Sequence, residues 1–184
     1  MEQPSQPRLY FAYGSNINLE YMRKKCSNPL VLGIARLPGH KIGFYGYSVT
    51  WDGAVETVIP DTQSEVWGLL YQLKTFDWER LDSCEDAKAD GTGEYFHYPV
   101  QVLDKQQTIK EASIYKKARL GQAEQPSAEY VSIMIQGAKE QGLPEDYIAA
   151  LQKIGTKPAS YQVPRRPSYD RVGVAGEGCN GCSD

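Results

Sequence analysis

Two short stretches of this chain carry residue types and spacings that can do chemistry. The first is Tyr13-Gly14-Ser15-Asn16, which follows the apolar run Leu9-Tyr10-Phe11-Ala12. Asn18 then opens a polar, helix-compatible stretch from Leu19 to Cys26. Glycine tolerates φ > 0, so Gly14 is expected to let successive backbone N–H groups converge beyond the strand end. Such a turn cradles a carboxylate or a polarised carbonyl oxygen. The second stretch is Leu81-Asp82-Ser83-Cys84-Glu85-Asp86. Helical spacing puts Trp78, Leu81 and Glu85 on one stripe, with Glu85 at a helix C-terminus where the macrodipole disfavours negative charge. A partly buried glutamate with a raised pKa is what a proton shuttle near neutral pH requires. Each stretch also reads as plain structure, a strand–helix connector and a solvated acidic helix end.

The elements that must position these residues are mostly strands. Candidates are Leu9–Tyr13, Leu30–Leu37, Lys41–Tyr47, Val55–Ile59, Glu65–Leu73, Tyr95–Leu103 and Thr108–Tyr115, rich in Val, Ile, Tyr and Trp and bounded by Pro, Gly and Asp. A helix is expected from Thr75 as N-cap to about Glu85. Ser127 caps a second, from Glu129 to Gln141, stopped by Gly142. Pro144 sits at the first helical position of a third, to about Ile154, closed by Gly155. The fold class is therefore α+β. It is a small, closed or strongly curved mixed sheet, barrel-like, of about six to seven strands with flanking helices. Residues 8–155 form the domain, and 156–184, which have no period, are expected to run extended along the surface or to be disordered.

Composition narrows the function classes. Hydrophobic residues make up 41% and charged residues 23%, the balance of an ordinary globular domain. A net charge of −3 argues against nucleic acid as a partner. No apolar run approaches the ~20 residues of a membrane span, and the start has no apolar signal core, so a cytoplasmic protein is expected. Cys26, Cys84, Cys179 and Cys182 are too scattered for a disulfide framework, and Cys179-Asn180-Gly181-Cys182 lacks partners that complete a zinc set. Of the two histidines, His40 follows Pro38-Gly39 in a turn and His97 lies in a strand; both read as structural. With no phosphate loop, dinucleotide fingerprint or nucleophile elbow, an enzyme of this sequence works with carboxylates, tyrosines and backbone dipoles, without metal or cofactor.

Taken in order, several segments resemble the γ-glutamylcyclotransferase family. Tyr13-Gly14-Ser15-Asn16 is similar to its signature turn, and Leu81-Asp82-x-x-Glu85 followed by a glycine-containing loop and Tyr95 is similar to the segment holding its catalytic glutamate. Thr50-Trp51-Asp52-Gly53, Val66-Trp67-Gly68, Pro126-Ser127-Ala128-Glu129-Tyr130 and Gly137-Ala138-Lys139-Glu140-x-Gly142-Leu143-Pro144 extend the likeness across about residues 8 to 155. The loop Asp86 to Glu94 looks longer than the family's, and the tail from Thr156 has no counterpart. The resemblance implies a small barrel-like sheet with flanking helices. It also implies cleavage of a γ-glutamyl amide by attack of the substrate's own α-amine, giving 5-oxoproline and a free amine or amino acid. Both reacting groups lie in one molecule, so folding the glutamyl chain supplies much of the rate. Glu85 is then the general acid/base. The backbone N–H groups of Gly14, Ser15 and Asn16 hold the oxyanion and the α-carboxylate. Tyr13, Tyr95, Tyr115 and Tyr130 position the glutamyl group through their hydroxyls.

The expected partner is a small-molecule γ-glutamyl substrate, with a homodimer compatible with the sequence. γ-Glutamyl amino acids or dipeptides lead as substrates. γ-Glutamylamines or a γ-glutamyl-protected metabolite come second. Glutathione comes third, because the Trp51-Asp52 region lacks the longer aromatic pattern of the glutathione-specific branch. A different class, a non-catalytic ligand-binding relative, is motivated by the loop after Glu85 and by Arg165, Arg166 and Arg171 in the tail.

Overall fold

The computed structural model describes residues 8–165; Cys179, Cys182, Arg166 and Arg171 lie outside the described residues. Strand β1 (Leu9–Ala12) runs into a single 3-10 turn (Ser15–Ile17) and helix α1 (Leu19–Lys25). Two long strands follow, β2 (Leu30–Ser48) and β3 (Gly53–Gln72), then helix α2 (Thr75–Cys84). Strands β4 (Tyr95–Asp104) and β5 (Ile109–Lys117) complete the sheet, and helices α3 (Ala128–Glu140) and α4 (Glu145–Gln152) end the sequence of elements. The sheet is a closed barrel in the order β1-β3-β2-β4-β5. Its neighbours are antiparallel except at the closing seam, where Tyr10 of β1 pairs Ser113 of β5 in parallel.

The mixed, closed sheet with flanking helices agrees with expectation, but the described residues form five strands rather than six or seven. Leu30–Leu37 and Lys41–Tyr47 are one strand, and Val55–Ile59 and Glu65–Leu73 are another. Pro38-Gly39 and Pro60-Asp61 look like breaks but serve as bends. Pro38 pairs Glu65 and His40 pairs Pro60, with a register shift between Pro38 and His40 and Gly39 at φ +69°. A proline removes one ladder hydrogen bond, and a bulge absorbs the irregularity while increasing the local twist. His40 thus sits in β2 rather than in a turn.

Period-two alternation divides the apolar residues between two cores. Phe11, Ala35, Leu37, Val58, Val66, Leu70, Val102 and Ile114 form one, made almost wholly of strand residues. Their sequence neighbours Tyr10, Ala12, Ile34, Leu69 and Tyr71 belong to the other. There they pack with Met22 of α1, Trp78 and Leu81 of α2, Met134 and Ala138 of α3 and Leu151 of α4. Helix starts differ from expectation by one residue. Lys74 occupies the N-cap of α2, with Thr75 as first helical residue, and Pro144 is the N-cap of α4. Ser127 caps α3 as expected, its hydroxyl accepting from the Tyr130 N–H. No helix among the described residues is long and apolar enough to cross a membrane.

Candidate active site

The turn after β1 is positioned from three sides. Asn18 caps α1 by accepting from the Tyr21 N–H at 2.9 Å. The Tyr71 hydroxyl of β3 donates to the Asn16 carbonyl oxygen at 2.9 Å. Gly137 of α3 lies so close that a Cβ there would collide with the Asn18 backbone nitrogen. Gly14 itself has φ −110° and ψ −141°, not the positive φ expected of it. Its reason is space: a Cβ at Gly14 would fall on the Glu56 carboxyl. Ser15 and Asn16 begin the 3-10 turn, so their N–H groups have no partner within it, as at any helix start.

Glu85 is the C-cap residue of α2, and its carboxylate faces this turn. Glu85 Oε1 accepts from Asn16 Nδ2 at 2.9 Å and from Lys25 Nζ at 2.6 Å. Lys25 Nζ also donates to Asn16 Oδ1 at 2.9 Å and lies 4.5 Å from the Tyr21 ring centre. The pair is mostly buried, with side-chain exposures of 11% for Lys25 and 18% for Glu85. Burial alone would lower the Lys25 ammonium, but Glu85 and Tyr21 outweigh it, so its pKa is raised. Lys25 and the Asn16 side chain were missed by sequence reasoning, which gave Asn16 only a backbone role. Position 25 is one of two adjacent lysines at the end of a short helix, and only the fold separates the exposed Lys24 from the buried Lys25.

A cavity of about 260 Å³ opens beside this cluster, walled by Ser15, Tyr21, Lys25, Trp51, Glu85, Tyr95 and Tyr130 among others. The Trp51 ring packs on Tyr130 at 4.5 Å between centres and on Tyr21 at 5.5 Å. The Tyr130 hydroxyl donates a short hydrogen bond to Glu56 Oε2. The Tyr95 hydroxyl donates to the Glu56 carbonyl oxygen at 3.0 Å, so the longer loop 86–94 still delivers Tyr95 to the cavity. Burial, then the Glu56 charge, pushes the Tyr95 and Tyr130 phenols up. Both are therefore neutral donors at ordinary pH. The other tyrosines are tied elsewhere. The Tyr13 hydroxyl donates to the Tyr115 carbonyl oxygen, and the Tyr115 hydroxyl donates to Asp82 Oδ1 at 2.6 Å. Asp82 also has His97 Nε2 at 2.8 Å. Tyr115 thus braces α2 against β5, and its hydroxyl has a protein partner rather than the cavity.

Glu56 was also missed. Desolvation by burial pushes its carboxyl up to about 7. Glu56 is a strand residue of β3, and its carboxyl is hydrogen-bonded to Tyr130 of the cavity wall. No group of three or more His, Cys, Asp or Glu among the described residues is arranged to hold a metal ion.

Comparison with known proteins agrees with this geometry. Residues 65–151 match the AIG2-like family. The chain is 30% identical to γ-glutamylcyclotransferase of Bos taurus over 158 residues, covering 83% of this chain and 81% of the relative. It is 31% identical to γ-glutamylcyclotransferase of Homo sapiens over 150 residues, covering 79% and 78%. A solved structure of a γ-glutamyl cyclotransferase superimposes with a TM-score of 0.78 at 28% identity, covering 85% of this chain and 92% of that one. The chain belongs to the γ-glutamylcyclotransferase family.

Proposed function

We propose that the cavity beside the first turn binds a γ-glutamyl amino acid or dipeptide and that the protein converts it to 5-oxoproline and the free amino acid. The observation that carries this reading is the Glu85–Lys25–Asn16 cluster under the turn. A γ-glutamyl group presents an α-ammonium and an α-carboxylate side by side, and Glu85 with Lys25 offers the complementary pair. Glu85 accepts a proton from the α-ammonium. Lys25 and the N–H groups of Ser15 and Asn16 meet the α-carboxylate. Tyr95 and Tyr130 line the wall on which the glutamyl chain folds, and Trp51 supplies its apolar face. The freed amine attacks the γ-carbonyl carbon of its own molecule, so positioning does the work a protein nucleophile would otherwise do. The catalytic unit is residues 8–155.

Incubation with γ-glutamyl-alanine and assay of 5-oxoproline tests the reading. Product is expected, and its absence across a panel of γ-glutamyl compounds overturns it. Relative kcat/KM for γ-glutamyl-alanine and ε-(γ-glutamyl)-lysine separates the amino-acid from the amine class. A carboxylate on the carbon bonded to the leaving nitrogen, which γ-glutamyl-alanine has and ε-(γ-glutamyl)-lysine lacks, is expected to raise kcat/KM.

A further inference from the structure

Glu56 has no task in that reading, yet its position is constrained from several elements. It lies in β3 between cavity-lining Val55 and buried Thr57, half-buried, with its carboxyl between Gly14 of the turn and the Tyr130 hydroxyl. The titratable groups around it are Glu85 just after α2, Lys25 of α1, Tyr130 of α3, Tyr95 of β4, Tyr10 of β1 and Tyr13 just after it. None of the described cations pairs with it, whereas Glu85 has Lys25. A carboxyl held without a cation and fixed by one phenol is built to carry a proton rather than to hold a charge.

We propose that Glu56 is a second catalytic residue, the acid that protonates the departing nitrogen while Glu85 takes the proton from the α-ammonium. The proposal rests on the γ-glutamyl reading of the cavity and concerns how its protons move. Cyclisation strips two protons from the attacking nitrogen, which goes from ammonium to lactam N–H. It adds two to the leaving nitrogen, which goes from amide N–H to ammonium. One carboxylate holds one proton at a time. Glu85 removes the first proton, and the amine lone pair forms the new C–N bond. Glu56 gives its proton to the leaving nitrogen as the old C–N bond breaks, then takes the second proton from the ring nitrogen. Glu85 passes its proton to the freed amine. Both groups end as they began, and no co-reactant is consumed.

The test uses the full-length protein, Glu56→Gln and Glu85→Gln with two substrates, γ-glutamyl-alanine and γ-glutamyl-p-nitroanilide, whose nitroaniline departs without prior protonation. Glu56→Gln is expected to lose roughly 10²- to 10⁴-fold in kcat with γ-glutamyl-alanine, and at least about tenfold less than that with the anilide. Glu85→Gln should lose activity equally on both. With γ-glutamyl-alanine the wild-type kcat should decline as pH rises through about 7, where Glu56 gives up its proton, and Glu56→Gln should lack that limb. Equal losses of Glu56→Gln on both substrates, or unchanged kcat, overturn the assignment while leaving the γ-glutamyl reading intact. No 5-oxoproline from the wild type overturns both. Titration of the wild-type carboxyl ¹³C signals gives a readout independent of variant folding. A glutamate titrating near pH 7 is expected, and its absence overturns the proposal.

Discussion

Glu85 lines the cavity and Glu56 is hydrogen-bonded to its Tyr130 wall, and their neighbours set the two glutamates apart. Glu85 has a buried ammonium at 2.6 Å and a side-chain amide at 2.9 Å; Glu56 has a phenol. Replacing Glu85 with Gln keeps the shape but strands the Lys25 charge. The expected result is a fall in kcat of roughly 10²- to 10⁴-fold, with a loss of stability of about 1–3 kcal/mol, read by urea melts. Asp82→Asn and Asp86→Asn are matched controls expected to keep most activity. Asp82 can still accept from Tyr115 as Asn, and Asp86 sits at φ 46°, which Asn tolerates. Equal losses in all three variants would reduce Glu85 to one member of an acidic helix end. Glu56 makes an opposite stability prediction. Its carboxyl is protonated in the fold up to about pH 7, against an ordinary 4.5 when unfolded. The folded state therefore binds more protons between these values, and stability falls as pH rises through that window, by about 3 kcal/mol in all. Glu56→Gln removes the titrating group. Its Tm should gain on the wild type from pH 5 to pH 8, and a pH-independent difference would show that the carboxyl is not desolvated. Glu85 was legible because it ends a helix stripe within a motif. Glu56 was not, because a single acid in Gly53-Ala54-Val55-Glu56-Thr57-Val58 looks like an ordinary strand residue. The one signal was its place inside an otherwise buried run, with Ala54, Val55, Thr57 and Val58 on either side.

At the scale of elements, the site depends on how closely α3 seats against the turn. Gly137 touches Ile17 and Asn18, and the same helix carries Tyr130 to the cavity. Gly137→Ala gains helix propensity but places a methyl where the Asn18 backbone lies, so overpacking wins by about 1–3 kcal/mol. The expected outcome is a lower Tm together with a raised KM, because α3 and the turn separate. A Tm equal to or above wild type would show that the contact relaxes freely. Most elements that make this contact were legible: the Asn18 and Ser127 caps and the helical stripe Tyr130, Met134, Gly137 and Ala138 all follow local rules. The strand count was not. Pro38-Gly39 and Pro60-Asp61 carry strong turn chemistry, and only the pairing of β2 with β3 along their whole length converts two breaks into two bends. Sequence periodicity is local, whereas barrel closure is a long-range pairing constraint.

At the scale of the whole molecule, residues 156–165 fasten the β2–β3 hairpin. The Ser160 N–H and hydroxyl donate to Asp52 Oδ2, the Tyr161 hydroxyl donates to the Val49 carbonyl oxygen, and the Arg165 N–H donates to that of Thr50 at 2.7 Å. Val49, Thr50 and Trp51 are themselves cavity walls, so the strap bears on the shape of the site. Asp52 is its anchor. Hydrogen bonds from the Ser160 hydroxyl and then the Tyr47 hydroxyl hold the Asp52 carboxyl down to about 2. A depressed carboxyl contributes its stabilisation above its ordinary value of 3.8 and loses it as pH falls toward about 2, so the strap is fastened throughout the neutral range. Asp52 also occupies the left-handed region, at φ 51°, where Asn is well tolerated. Asp52→Asn therefore spares the backbone while replacing one carboxylate oxygen with an N–H donor that cannot accept from both Tyr47 and Ser160. Hydrogen exchange at the Ser160 and Arg165 amides should become several-fold faster, and KM should rise with little change in kcat, because the hairpin loses its clamp while Glu85 and Glu56 stay in place. Unchanged exchange at both amides would mean that the strap is held without Asp52. A fall in kcat at constant KM would mean that the hairpin acts on Glu85 and Glu56 rather than on the mouth of the cavity.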